Sequence, residues 1–118
     1  MLHEDWFMRQ ISILIDAIIN LVFKKNEPTD IFLNDVKMDQ QLQSLILDKK
    51  FCEAEDLLYE RMAPGDGDTL KAALKFYAEL AQLSDTDLES HDFSREEIEQ
   101  GISDITKAYG LDIDFLRE

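Results

Sequence analysis

Cysteine occurs once in this chain, at Cys52, so no disulfide can form within it. A lone thiol fits a reducing compartment, and a cytoplasmic protein is expected. Histidine is almost as scarce. His3 and His91 are the only two, and no His-x-x-x-His or Cys-x-x-Cys pair exists, which argues against a structural zinc site. Four glycines and two prolines are too few for the many tight turns of a β-sandwich or barrel. Long apolar runs are missing as well: Ile11 to Phe23 is broken by Ser12, Asp16 and Asn20, and is too short to span a bilayer. The start His3-Glu4-Asp5 has the wrong charge for a secretory leader, and no Ala-x-Ala follows.

Basic residues are the remaining deficit. Twelve Lys and Arg stand against 26 Asp and Glu, a net charge of −14. Such a surface repels phosphate backbones and anionic headgroups, so neither nucleic acid nor membrane is expected as a partner. The acid is concentrated between Asp85 and Asp104, where eight acidic residues face Arg95 alone. That run is either a solvated face or a docking site for a basic partner.

What is present points to helices. At 118 residues the chain has the size of one domain, taken as 1–118. A chain of that length buries roughly 65% of its unfolded surface, enough for a core without metal or disulfide. The first helix is expected over Glu4 to Lys25, with Phe7, Ile11, Leu14, Ile15, Ile18, Leu21 and Val22 on one face. Asp5, Arg9, Ser12, Asp16 and Asn20 form a narrow polar seam, and nearly all the rest is apolar. Asp16 on that seam faces Arg9 or water, or sits in a polar pocket within the bundle.

Pro28 closes that helix, and Thr29 or Asp30 is the candidate cap of a segment over Ile31–Lys49 with a break near Asn34-Asp35. A third helix spans Lys50–Met62 with Phe51, Ala54, Leu57 and Leu58 inward. After the loop from Ala63 to Asp68, Asp68 or Thr69 caps a fourth helix to Leu83, with Leu70, Ala73, Leu74, Tyr77, Leu80 and Ala81 inward. A polar connection follows, with one short turn at Asp87–Ser90. The capping box Ser94-Arg95-Glu96-Glu97 then opens a fifth helix, with Ile98, Gly101, Ile102, Ile105, Ala108 and Tyr109 on its face and Gly110 as its left-handed cap. A last turn at Asp112–Leu116 can fold back on the core. The expected fold is all-α: about five helices in antiparallel hairpins, tetratricopeptide-like or an orthogonal bundle, with the first helix central or at a dimer interface.

Motifs that carry chemistry are weak. Asp85, Asp87, Glu89, His91 and Glu96 follow calcium-loop spacing, but Ser90 stands where the loop needs glycine and Asp92 where it is usually apolar. Cys52 is a nucleophile only if the fold brings His91 beside it. Carboxylates abound without marking an acid–base pair.

Two resemblances add to this. Leu45-x-x-x-Lys49-Lys50-Phe51-x-Glu53-Ala54-x-x-Leu57-Leu58 resembles the centre of a tetratricopeptide repeat, with Lys49 or Lys50 in place of the turn glycine and no second copy about 34 residues away. The segments Glu4-Asp5-Trp6-Phe7-Met8-Arg9-Gln10-Ile11, Phe51-x-Glu53-Ala54-Glu55-x-Leu57-Leu58 and Phe93-Ser94-Arg95-Glu96-Glu97-Ile98 look like a family of small helical proteins of unknown function from low-GC Gram-positive bacteria. That resemblance implies a bacterial cytoplasmic protein and carries over no activity, ligand or catalytic residue.

The expected function is a protein-interaction or scaffold module without catalytic residues, cofactor or metal; the alternative is a small enzyme with a carboxylate site between helices. Trp6, Phe7, Met8 and Ile13 are the candidate interaction surface. With Ile11, Ile15 and Ile19 they offer more apolar area than short helices readily cover, which points to a protein partner or a homodimer through the first helix. Calcium or zinc in millimolar excess is expected to leave the melting temperature unchanged. A calcium-dependent rise of several degrees that Asp85→Asn abolishes would overturn this reading of the acidic stretch.

Overall fold

A computed structural model describes residues 2–24, 28–62 and 67–110. Those residues form helices α1 (Leu2–Phe23), α2 (Thr29–Asn34), α3 (Gln40–Leu47), α4 (Phe51–Arg61), α5 (Gly67–Leu80), α6 (Asp85–Ser90) and α7 (Arg95–Ala108), with no strand among them. The fold is all-helical, with seven helices where about five were expected. The expected break past Asn34 divides one segment into α2 and α3, and the short turn near Asp87 is a helix in its own right. The loop at 63–66 and the last turn at 112–116 lie outside the described residues.

The centre of the molecule is α5, so of the two places expected for α1, central or at a dimer interface, the central one is corrected. α5 packs against α7, α1, α4 and α2. Leu70, Ala72, Ala73, Leu74, Phe76, Tyr77 and Leu80 are all buried, so little of its circumference meets water. Small residues at 72 and 73 let neighbouring helices come close. α1 covers one side of α5 and α2, and its buried residues are Phe7, Ile11, Leu14, Ile15, Ile18 and Ile19. Phe23 meets Phe32 of α2 with ring centroids 5.4 Å apart, and the Lys71 ammonium stands 5.0 Å over the Phe23 ring.

Tyr77 sets the contact with α7. A Cβ built on Gly101 would sit 2.3 Å from the Tyr77 hydroxyl and 2.4 Å from its ring, so only glycine admits the ring against the α7 backbone. Along α7, Ile98, Ile102 and Ile105 are buried as the spacing predicts, but Ala108 is exposed and Ser103 and Thr106 are buried instead. Thr106 tolerates this because its hydroxyl bonds within its own helix, 2.8 Å from the Ile102 carbonyl oxygen.

Helix ends follow local chemistry. The Ser94 and Ser84 hydroxyls accept from the Glu97 and Asp87 amides, and the Asp39 carboxylate accepts from Leu42 N at 2.8 Å. The expected caps Thr29, Asp68 and Thr69 are corrected: each lies inside its helix, and α2 is preceded by Pro28. Asp30 likewise falls within α2. α3 ends in a Schellman motif, with Lys50 N bonding Leu45 O at 2.8 Å, Lys49 N bonding Ile46 O at 3.0 Å, and Lys49 at φ +60°. α6 ends the same way, with Phe93 N on Leu88 O, Asp92 N on Glu89 O and Asp92 at φ +58°. Gly110, at φ +81°, holds the expected left-handed position after α7.

Ile18 has 0% of its surface exposed and Leu47 has 81%. Ile18→Asp should therefore cost on the order of 4 kcal/mol, through a buried unpaired charge and lost packing. Leu47→Gln should stay within about 0.5 kcal/mol. Similar chemical-denaturation midpoints for the two variants would contradict the placement of α1 on the core.

Candidate functional site

Two places among the described residues bear most directly on function. The first is the outer side of α1. Trp6, Ile13 and Leu21 are 58%, 62% and 52% exposed, with Ala17 half-buried among them. At about 100° per residue these positions share one side of the helix. Exposed Arg9, Ser12 and Asn20 and half-buried Asp16 run alongside. Asn20 Nδ2 donates to the Asp16 carboxylate at 3.4 Å, which keeps Asp16 on the polar seam.

Of the four candidate surface residues, Trp6 and Ile13 are exposed. Phe7 is corrected: it is buried in the core, with the Arg95 guanidinium 5.1 Å from its ring centroid. That guanidinium is in turn paired with Asp85 at 2.6 Å. Ile11, Ile15 and Ile19 are buried too, so they support the helix from beneath. Met8 is half-buried in a cleft of about 340 Å³ lined also by Ile11, Ser12, Leu33, Ala78 and Gln82. The helix is long and apolar enough by composition to cross a membrane, while its inner side is committed to the core.

The second place is the junction of α4, α5 and α7. Tyr77 Oη donates to Glu55 Oε2 at 2.6 Å. Burial raises the Glu55 carboxyl above the usual range; the Tyr77 hydrogen bond opposes this, and Glu97, Asp56 and Asp104 reinforce it. Burial, and then the bond to Glu55, also raises the Tyr77 phenol well above its ordinary value. Half-buried Tyr59 is raised by burial as well. The result is a phenol that keeps its proton and a carboxylate that gives up water for a single strong donor. Periodicity could not reveal this pair, because its members lie on different helices 22 positions apart.

Cys52 lies in the first turn of α4 and is exposed; its thiol donates to the Asp92 carbonyl at 3.4 Å. His91 stacks edge-on against neighbouring Phe51 at 5.6 Å, and its Nδ1 lies 2.8 Å from the Asp87 carbonyl. Burial, followed by Glu97, Glu55, Asp92 and Asp56, pushes the thiol up, the opposite of what a nucleophile needs. The residues with calcium-loop spacing are spread along α6 and the start of α7, and no group of three or more His, Cys, Asp or Glu among the described residues could hold a metal ion.

The described chain is thus an all-helical domain with an apolar outer stripe and a half-buried carboxylate held by a buried phenol. Residues 1–110 match a family of unknown function (DUF6483), and the chain belongs to that family. No curated protein and no solved structure matches it.

The raised Glu55 carboxyl gives a signed pH dependence. The folded protein holds this proton more tightly than the unfolded chain, so Glu55 adds stability at low pH and that contribution is lost as pH rises through its folded value. Glu55→Gln keeps an acceptor for Tyr77 and removes the charge. Its stability relative to the parent should therefore increase between about pH 4 and about pH 8, read from urea midpoints. A difference that stays flat, or falls, contradicts the assignment.

Proposed function

We propose that this domain is a cytoplasmic protein-interaction or scaffold module without catalytic activity of its own, and that its contact surface is the outer stripe of α1. The observation that carries this reading is the alignment of exposed Trp6, Ile13 and Leu21 on one side of a helix whose other side is fully used by the core. Scattered exposed apolar residues are ordinary, whereas aligned ones on a single helix mark contact surfaces. Tryptophan in particular is enriched among the residues that dominate binding energy. The α3–α4 hairpin, with Phe51, Ala54 and Leu58 turned inward and Lys49 at the turn, supports tetratricopeptide-like packing as the scaffold. Net charge of −14 favours a protein partner over nucleic acid or an anionic membrane, and the module needs no cofactor.

A small enzyme built on a carboxylate is the second reading, favoured by the shifted Glu55 beside Tyr77. It is weaker because Tyr77 is 1% exposed and its hydroxyl is pressed onto Gly101, away from any reactant.

Site-specific photo-crosslinking tests the interaction reading in cells that make the protein. A benzophenone side chain at Ile13 should give discrete protein adducts, whether with another protein or with a second copy. The same group at exposed Glu60 on α4 should not. Absence of any Ile13-specific adduct would overturn the reading.

A further inference from the structure

The outer side of α1 is self-complementary. Trp6, Ile13 and Asn20 lie seven residues apart along one line of the helix, and Arg9 and Asp16, also seven apart, run beside it. All are exposed except half-buried Asp16. Ile13 lies midway between Trp6 and Asn20, and within one position of the midpoint between Arg9 and Asp16.

Resting on the reading of this stripe as a contact surface, we propose that its occupant is a second copy of the chain, with the two α1 helices antiparallel about a two-fold axis at Ile13. Ile13 then meets the Ile13 of the other copy. Trp6 lies opposite the Asn20–Leu21 end, where its indole N–H can find the Asn20 carbonyl oxygen while its ring covers Leu21. Arg9 comes within one residue, about 1.5 Å of helix rise, of Asp16 in the other copy. Symmetry makes each contact twice.

Charge selects this arrangement over others. In a parallel pair Arg9 would face Arg9 and Asp16 would face Asp16, both repulsive; reversing one helix turns both into attractions. Charge also permits this helix to pair. Two chains of −14 repel, and between Trp6 and Lys24 the charges are Arg9, Asp16 and Lys24, so this stretch carries no net negative charge to add to the repulsion. The contact over Trp6–Leu21 runs about 24 Å at 1.5 Å per residue, a short single-helix seam that points to a weak, concentration-dependent dimer. Added salt strengthens the contact by screening the net charge more than it weakens the two exposed Arg9–Asp16 pairs.

Sedimentation equilibrium of the full chain from about 1 to 300 μM in 0.15 M salt reads the first part. A dimer that weakens about tenfold or more on Ile13→Glu, in a variant of unchanged helical circular dichroism, is expected, since the change buries two charges at the axis. A monomer throughout this range overturns the proposal. So does a monomer that floats with phosphatidylcholine vesicles, which would assign the stripe to lipid. Cysteine cross-linking in a Cys52→Ser background reads the register. Ile13→Cys should form a disulfide-linked dimer with an added oxidant. Trp6→Cys should not do so alone, but should link to Asn20→Cys when the two variants are mixed. Self-linkage of Trp6→Cys would show a parallel pair and overturn the register. Photo-adducts at Ile13 that contain another protein and never a second copy would sink the dimer while leaving the interaction reading intact.

Discussion

Seven side chains of α5 are buried, and four of the other helices pack where they do to cover them. A helix with so wide an apolar arc is stable only when neighbours cover it from several directions. α1, α2, α4 and α7 all meet it. Two details fix how closely they come. The Tyr77 ring occupies the gap left by Gly101, setting the approach of α7, and Phe76 passes the contact on to Phe93 and then Phe51 through edge-on rings 6.4 Å apart. The same ring of Tyr77 carries the hydroxyl that bonds Glu55, so one side chain joins α4, α5 and α7.

Much of this architecture could be read from spacing. The inward residues of α5, the Ser94 cap, the Gly110 turn and the break past Asn34 all follow from periodicity and terminus chemistry. What could not be read divides by cause. The turn after α3 was legible, with Lys49 standing where glycine usually does, whereas the end of α6 was obscured because Asp92 holds its left-handed position, and the residue after α1, Lys24, likewise has φ +53°. Of the two places offered for α1, the central one failed because apolar composition measures what burial would gain, not whether neighbours exist to provide it. Six of its apolar positions found cover, while Trp6, Ile13 and Leu21 did not. The Glu55–Tyr77 pair was out of reach because tertiary approach, not sequence proximity, creates it.

Charge is distributed in step with this geometry. The acidic side chains between Asp85 and Asp104 stand mostly in solvent around α6 and α7, where the cost of like charge is reduced by water and salt. Arg95 is the exception that ties this region inward, reaching both Asp85 and the face of Phe7. The outer side of α1 carries only Arg9 and Asp16 over its exposed length from Trp6 to Leu21, so apolar exposure and low repulsion fall on the same helix.

That placement gives the single tryptophan an unusual optical position. In most domains an indole reports folding because it passes from core to water. Trp6 already stands 58% in water on the outside of a folded helix. Its emission should therefore change less on loss of the core than that of a buried indole would, and the unfolding of the centre is better followed through backbone helicity or through the buried ring of Tyr77.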